Sequence, residues 1–372
     1  MMPLIVIYNP ASGDRTAAKL TTDTIIPLLA THHVTPDKVA ATKYVGHAGE
    51  LVLSYLDSLA PSTPTEPITL VLVSGDGTLH EIVNALHSAR SRREASFPSL
   101  RIVPIPGGTA NALHSTFFPP SSSSTESTLL APLLSFLSAT PRLVPLSFAH
   151  VTISSSPPAL RNPHKFPVTA ESRSASSDVD VISVVVTSTA LHAAILHDSE
   201  ALRASVPGIE RFKLAAEQNT TTWHRARLNL LPPVQQYDAN TGAFIDLIRE
   251  EEVGESMELV GPFAYFLSTV NVDRLEPLFR ITPLQRTIPP PPGAHTMDIL
   301  AVRPFLDTSL EGRCDEETRE RFKDKIWGVV NAAYQDGAHI KARHDSPDGT
   351  KGMPVVEYYR VGGWQWIPVS LS

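Results

Sequence analysis

The chain has 372 residues, with 31 Lys+Arg against 38 Asp+Glu, 42% apolar residues, 33 Pro, 19 Gly and a single Cys, a length that predicts two buried cores rather than one. A formal net charge of −7 without a basic block argues against a nucleic-acid partner, because such binding draws its affinity from Lys and Arg on phosphates. Cys314 alone makes neither an internal disulfide nor a Cys-rich zinc site, no basic leader opens the chain, and no window approaches the ~18 consecutive apolar residues of a membrane span; the expectation is a cytoplasmic protein with at most peripheral membrane contact.

In chain order, Pro3-Leu-Ile-Val-Ile-Tyr8, Ile68-Thr-Leu-Val-Leu-Val73 and Leu100-Arg-Ile-Val-Pro-Ile105 read as strands, each ending in a Gly-containing turn. Continuous apolar strands of this kind belong to a parallel sheet covered on both faces by helices, so the first part is predicted to be an α/β layer domain. Beyond Leu143 the pattern turns to alternating strands, over 144–153, 179–188, 225–230, 263–272, 297–302, 339–343 and 355–361, with no regular helix between them; this half is predicted to be an antiparallel β-sandwich. One amphipathic helix interrupts it, with Phe322, Ile326, Val329, Val330 and Ala333 at helical spacing behind the acidic start Asp315-Glu316-Glu317. The expected domains are 1–145 for nucleotide binding and 146–372 for the sandwich, the last strand being free to return to the first domain. Stretches 119–125, 154–178 and 289–292 read as loops.

The strongest chemical signal is Leu72-Val-Ser-Gly-Asp-Gly-Thr-Leu-His-Glu81, a buried strand turning through Gly75 and Gly77 into a helix whose core face carries Leu79, Ile82, Val83 and Leu86. Glycines permit close approach, and a helix N-terminus offers unpaired N–H groups with about half a positive charge, which suits a phosphate. A carboxylate beside phosphates, here Asp76, suits Mg²⁺ binding or proton acceptance from an attacking hydroxyl, and so points to transfer rather than binding alone. A second such turn is Pro106-Gly-Gly-Thr-Ala-Asn111, where Thr109 or Asn111 is expected to cap the next helix; a third is Asn9-Pro-Ala-Ser-Gly13. Three turns at successive strand ends predict a nucleotide cradle. Neither a P-loop nor a G-x-G-x-x-G fingerprint occurs at them. His47, His80 and His114 fit no metal-ligand spacing, and no Ser/His/Asp constellation is legible.

Asn9-Pro-Ala-Ser-Gly13, Thr42 with Gly46-His-Ala-Gly-Glu-Leu51, Ser74-Gly-Asp-Gly-Thr78 with Glu81 and Asn84, and Pro106-Gly-Gly-Thr-Ala-Asn111 resemble, in order and spacing, the motif series of the diacylglycerol kinase catalytic-domain family, which includes sphingosine and ceramide kinases. The resemblance implies an N-terminal domain like those of NAD kinase and phosphofructokinase, ATP and Mg²⁺ as cofactors, and a β-sandwich that supplies the lipid pocket. It implies that Asn9, Ser12, Gly13, Thr42, Gly75, Gly77, Thr78, Glu81, Gly107, Gly108, Thr109 and Asn111 hold the nucleotide, with Asp76 as base or metal-linked carboxylate. More weakly, Asp198-Ser-Glu-Ala-Leu-Arg203 and Arg211 resemble the family's acidic-Ser-Glu segment, which implies a cationic clamp from Arg203 and Arg211 and a substrate contact from Asp198.

Two departures stand out. Members acting on sphingoid bases or ceramide carry an Asp shortly before the acidic-Ser-Glu segment, where this chain reads Ala193-Ala-Ile-Leu-His197, and the family's C-terminal Asp-Gly-Glu corresponds to Gly362-Gly-Trp364, with Glu357 and Asp348 the nearest acidic residues. The implied function is an ATP-dependent lipid kinase acting at a membrane surface on a hydroxyl of a sphingoid-base or diacylglycerol-type lipid. The alternatives are an NAD kinase-like enzyme, which shares the Gly-Asp-Gly turn, and a catalytically impaired nucleotide- or lipid-binding pseudokinase. If the alignment holds, replacing Gly362 with Asp and Trp364 with Glu is expected to lower the Mg²⁺ requirement.

Overall fold

The computed structural model describes residues 3–59, 67–90, 99–120, 128–154, 178–203, 205–206, 208, 210–252, 254–345 and 352–369. Of the expected loops, most of 119–125 and 154–178 lies outside these residues, as does Asp348. The chain divides into two units, the first made of Met1–Ala149, Val181–Val185 and Arg274–Pro277, the second of the remainder.

In the first unit, β1 (Leu4–Tyr8) leads into α1 (Ala17–Leu20), which continues through a wide turn at Thr21–Ile25 into α2 (Ile26–Thr31). There follow β2 (Lys38–Ala41), α3 (His47–Ser58), β3 (Ile68–Ser74), α4 (Asp76–Arg90), β4 (Leu100–Pro106), α5 (Ala112–Phe117) and α6 (Ala131–Leu137). The strands form one parallel sheet in the order β2-β1-β3-β4, with Leu4 opposite Thr69 and Ile68 opposite Leu100. All of β3 is buried, because a central parallel strand is covered on both faces. Val6, Val71, Val73, Val103 and Ile105 pack with Ile25, Leu29 and Leu133 on one face. β2 escapes a reading by hydrophobic run: Lys-Val-Ala-Ala is a short, half-buried edge strand.

The second unit is built on β7 (Val186–Thr189), β8 (Ala226–Asp238), β9 (Ala243–Ile248), β10 (Met257–Val260), β11 (Tyr265–Thr269), β12 (Met297–Val302) and β13 (Glu357–Pro368). These form an antiparallel sheet in the order β10-β8-β13-β12-β11-β7, with β9 also on β8; β5 (Ala149–Ile153) and β6 (Val179–Ser183) pair separately. The sheet folds over its own core. β8 passes through Pro232 and Pro233 opposite a register shift between Val361 and Gly363 of β13, where a Cβ on Gly362 would overlap the Pro232 carbonyl oxygen. Beyond that bend Trp364 and Trp366 lie across from Phe266 of β11, with ring centroids 4.9 and 5.2 Å apart, although β12 separates those strands in the sheet. Both ends of the sheet thus share one core, with Leu228, Leu230, Ile299 and Val361 inside it.

Three expectations for this half are corrected. Helices α7 (Ala190–Leu202) and α8 (Glu210–Asn219) stand where no helix was expected, in segments rich in Ala, Leu and Glu, which are strong helix formers. Residues 339–343 contribute a short 3₁₀ turn, Ala338–Lys341, rather than a strand. Residues 144–148 precede β5 as irregular chain. The expected amphipathic helix is present; α9 (Leu284–Thr287) precedes it, and α10 (Glu316–Ala333) buries Phe322, Ile326 and Val329. Its N-cap is Asp315, whose carboxylate accepts the Thr318 N–H at 2.8 Å.

Candidate functional site

Parallel strands deliver their following turns to one edge of the sheet, and in the first unit the turns after β1, β3 and β4 meet there. The Gly107 N–H donates to the Ser74 carbonyl at 3.1 Å, and a Cβ on Gly108 would overlap the Gly75 Cα. Gly13, at φ +51°, closes on the third turn: a Cβ there would lie 2.6 Å from the Gly107 oxygen. Any side chain at Gly75 or Gly108 would force the second and third turns apart. Gly77 differs, being exposed with open space around its Cα.

Side chains lock the same turns. Ser74 Oγ and Thr78 Oγ1 are 2.5 Å apart, and the Asn9 amide donates to Thr78 Oγ1 at 3.2 Å while its Oδ1 accepts the Ala11 N–H at 3.0 Å. Ser12 Oγ donates to the Asn9 carbonyl at 2.9 Å. Thr42, buried, donates its N–H to the Tyr8 carbonyl at 2.9 Å and so sets the end of β2 beside the first turn. Glu81 accepts the Gly46 N–H at 3.0 Å, tying the turn before α3 to α4. Asn84 forms a two-way pair with the backbone of Ile182, at 2.9 and 2.8 Å.

Asp76 departs from the simplest expectation. Its half-buried carboxylate accepts the Ala112 N–H at 2.6 Å and the Leu113 N–H at 3.3 Å, so it caps α5 from across the site. The expected cap by Thr109 or Asn111 is corrected: Thr109 is exposed, and Asn111, at φ +57°, holds the N–H and carbonyl of Gly108 at 2.8 and 2.7 Å. Desolvation raises the Asp76 pKa, opposed by the N–H groups of Ala112 and Leu113. Two of its lone pairs are spent on α5 and its own N–H engages the carboxylate as well, which leaves the remaining capacity for a cation or a hydroxyl proton.

The remaining expected residues belong to the second unit. Arg203 is exposed and pairs with Glu200 at 3.4 Å. Arg211 is buried, donating to the Gly208 carbonyl at 2.8 Å with its guanidinium 4.5 Å from the centre of the Phe212 ring. Asp198 accepts from Asn219 at 2.7 Å and pairs with His197 at 2.8 Å, joining α7 to α8; those two bonds hold its carboxyl below the usual value. Glu357 is committed to Arg303, through contacts of 2.7 and 2.8 Å, and to the Tyr359 hydroxyl. His114, placed beside the motifs by its sequence position, is buried with Nε2 2.9 Å from the Thr128 carbonyl.

Among the described residues no group of three or more His, Cys, Asp or Glu side chains is placed to hold a metal by itself. The turns nonetheless fit a polyanion: glycines at close approach, the N-terminal end of the long helix α4, hydroxyls at Ser74 and Thr78, and one carboxylate. Mg²⁺ commonly needs only one or two protein carboxylates besides substrate phosphates and water. Asp76 meets that requirement.

Residues 3–133 match the diacylglycerol kinase catalytic domain. Sphingoid long chain base kinase 5 of Saccharomyces cerevisiae is 33% identical over 111 residues, covering 30% of this chain and 15% of its own length. Sphingosine kinase 1 of Rattus norvegicus is 34% identical over 114 residues, covering 30% and 26%. The match thus spans well under a third of either relative. A crystal structure of a diacylglycerol kinase from Bacillus anthracis str. Sterne aligns over 96% of this chain and 94% of its own, at 16% identity and a TM-score of 0.46.

Proposed function

We propose, from the match of residues 3–133 to the diacylglycerol kinase catalytic domain, that the chain is a phosphotransferase of that family and moves the γ-phosphoryl of ATP to a lipid hydroxyl. The observation that carries the reading is the contact of the Ser74–Thr78 and Pro106–Asn111 turns, with Asp76 between the start of α4 and the N–H groups of α5. In this reading the backbone N–H groups of Gly75, Gly77 and Thr109 cradle the phosphates, with Gly107 and Gly108, whose own N–H groups are taken by Ser74 and Asn111, and Asn9, Ser12, Gly13, Thr78 and Asn111 shaping the turns and Thr42 and Glu81 bracing them. Asp76 accepts the acceptor hydroxyl's proton or holds Mg²⁺, which when bound supplies neutralisation of the phosphate charge. Arg203 is the exposed cation of the second unit assigned to the transferring phosphoryl, and buried Arg211 positions its segment.

Two glycines separate the cradle's architecture from its use. Gly77→Ala is expected to leave the melting temperature unchanged or higher, since Ala exceeds Gly in a helix by up to ~1 kcal/mol, yet to weaken ATP binding about tenfold by crowding the phosphates. Gly108→Ala is expected to cost about 1–3 kcal/mol in denaturant unfolding, because its Cβ must displace backbone. Equal ATP affinity in wild type and Gly77→Ala, by calorimetry, contradicts the cradle.

The substrate class is tested with γ-labelled ATP against diacylglycerol, ceramide, sphingosine and NAD, label in the organic phase being the expected result. Label in NADP favours the NAD kinase alternative. A nucleotide-binding protein without transfer is the second reading, favoured by the packing of Gly362 and Trp364 into the second unit's core at the positions corresponding to the family's acidic pair.

A further inference from the structure

The Pro-rich stretch that joins α9 to β12, Ile288-Pro-Pro-Pro-Pro-Gly293, lies wholly within the second unit and has a definite shape. Proline fixes φ near −65°, and a residue that precedes proline is driven to extended ψ, so Pro289, Pro290 and Pro291 are confined to the polyproline II region from both sides. None of the peptide bonds in the run is cis. Four successive prolines also leave no N–H between Ile288 and Gly293, which rules the segment out as a strand that a partner's sheet could extend.

Both ends of the run are fastened. The Ile288 carbonyl accepts from the Arg360 guanidinium at 2.7 Å, and Arg360, only 3% exposed, is paired with buried Asp298 at 2.8 Å and donates to the Leu284 carbonyl at 3.2 Å. At the other end the Ala294 N–H donates to the Pro291 carbonyl at 3.0 Å, closing a turn with Pro292 at its second position and Gly293, at φ +83°, at its third. That is the proline-then-glycine order of a type II turn. Between these anchors Pro289, Pro291 and Pro292 are exposed and Pro290 is half-buried. A polyproline II helix has three residues per turn, so Pro289 and Pro292 fall on one edge, one turn apart. Arg286, exposed in the last turn of α9, places a positive charge three residues before Pro289.

We propose that Pro289–Pro292, flanked by Arg286, is a docking segment for a protein domain with an aromatic-lined, acid-rimmed groove of the SH3 type. Such grooves receive P-x-x-P segments on aromatic rings and exploit the low entropy of a preformed polyproline helix. Here the fold supplies that preorganisation by holding both ends of the run, so docking costs little chain entropy. The arginine ahead of the prolines selects an acidic rim, which separates this groove from those that read prolines alone. Docking here does not depend on the nucleotide reading, since none of these residues belongs to the phosphate-binding turns.

The probe is a set of purified SH3 domains that accept Arg-x-x-Pro-x-x-Pro peptides, with a WW and an EVH1 domain alongside, each titrated with the full chain and followed by calorimetry and by NMR shifts of the groove aromatics. At least one SH3 domain is expected to bind with a dissociation constant of about 100 μM or tighter. Pro289→Ala with Pro292→Ala is expected to weaken that binding about tenfold or more, and Arg286→Glu about threefold or more, while ATP affinity stays unchanged. Should the double variant lose its fold, the same two substitutions in a peptide spanning 284–295 are expected to weaken peptide binding by the same factor. No binding of the full chain by any SH3 domain, affinity unchanged by the two proline substitutions, tighter binding by the WW or EVH1 domain than by every SH3 domain, or binding of the peptide without binding of the folded chain overturns the proposal.

Discussion

Asp76→Asn is expected to lower turnover by about 10²-fold or more, with a smaller effect on stability. Asn cannot take a proton and is a poor partner for Mg²⁺, but its Oδ1 can still accept the Ala112 N–H that Asp76 holds at 2.6 Å. Asp76→Ala removes the α5 cap as well and is expected to cost a further ~1 kcal/mol in urea unfolding. The two variants together separate chemistry from capping. Because desolvation raises the Asp76 pKa, the acid limb of turnover against pH is expected above the ordinary carboxylate value of 3.8, activity being lost as the pH falls and the carboxylate takes up a proton. Near-normal turnover in folded Asp76→Asn contradicts the assignment.

Gly362→Asp is expected to destabilise the second unit by about 3 kcal/mol or more, read as a lowered denaturant midpoint. The new Cβ would overlap the Pro232 carbonyl oxygen where β8 and β13 cross the bend. Trp364→Glu removes a ring that packs on Phe266 with centroids 4.9 Å apart, and loss of a packed Trp typically costs about 3–5 kcal/mol. Restoring an acidic pair here is therefore expected to unsettle the fold before it can ease the Mg²⁺ requirement, because these positions build the bend and the core beneath it. An unfolding midpoint for Gly362→Asp within experimental error of wild type contradicts the close approach.

The parallel sheet was legible because β1 and β3 are continuous apolar runs, and the three turns because each brings glycine into a short polar segment that follows a strand, directly at Gly75 and Gly107 and five residues on at Gly13. What hid β2 was its length: Lys38-Val-Ala-Ala41 is a four-residue, half-exposed edge strand, too short to stand out as an apolar run. Helices α7 and α8 carried ordinary helix propensity, but their place between alternating strands left them without a helix reading. Asp76 was legible as the unusual residue of its turn, whereas its bond to α5 joins residues 36 apart in sequence and needs the β3–β4 register to appear.

The most direct measurement is a single-turnover experiment with the full chain in excess over γ-labelled ATP, Mg²⁺ and mixed micelles of diacylglycerol, quenched and partitioned between water and organic solvent. The proposed chemistry predicts label in the organic phase with wild type and almost none with Asp76→Asn. ATP bound by both proteins, with all label remaining as nucleotide or inorganic phosphate in the aqueous phase for every lipid offered, would contradict it.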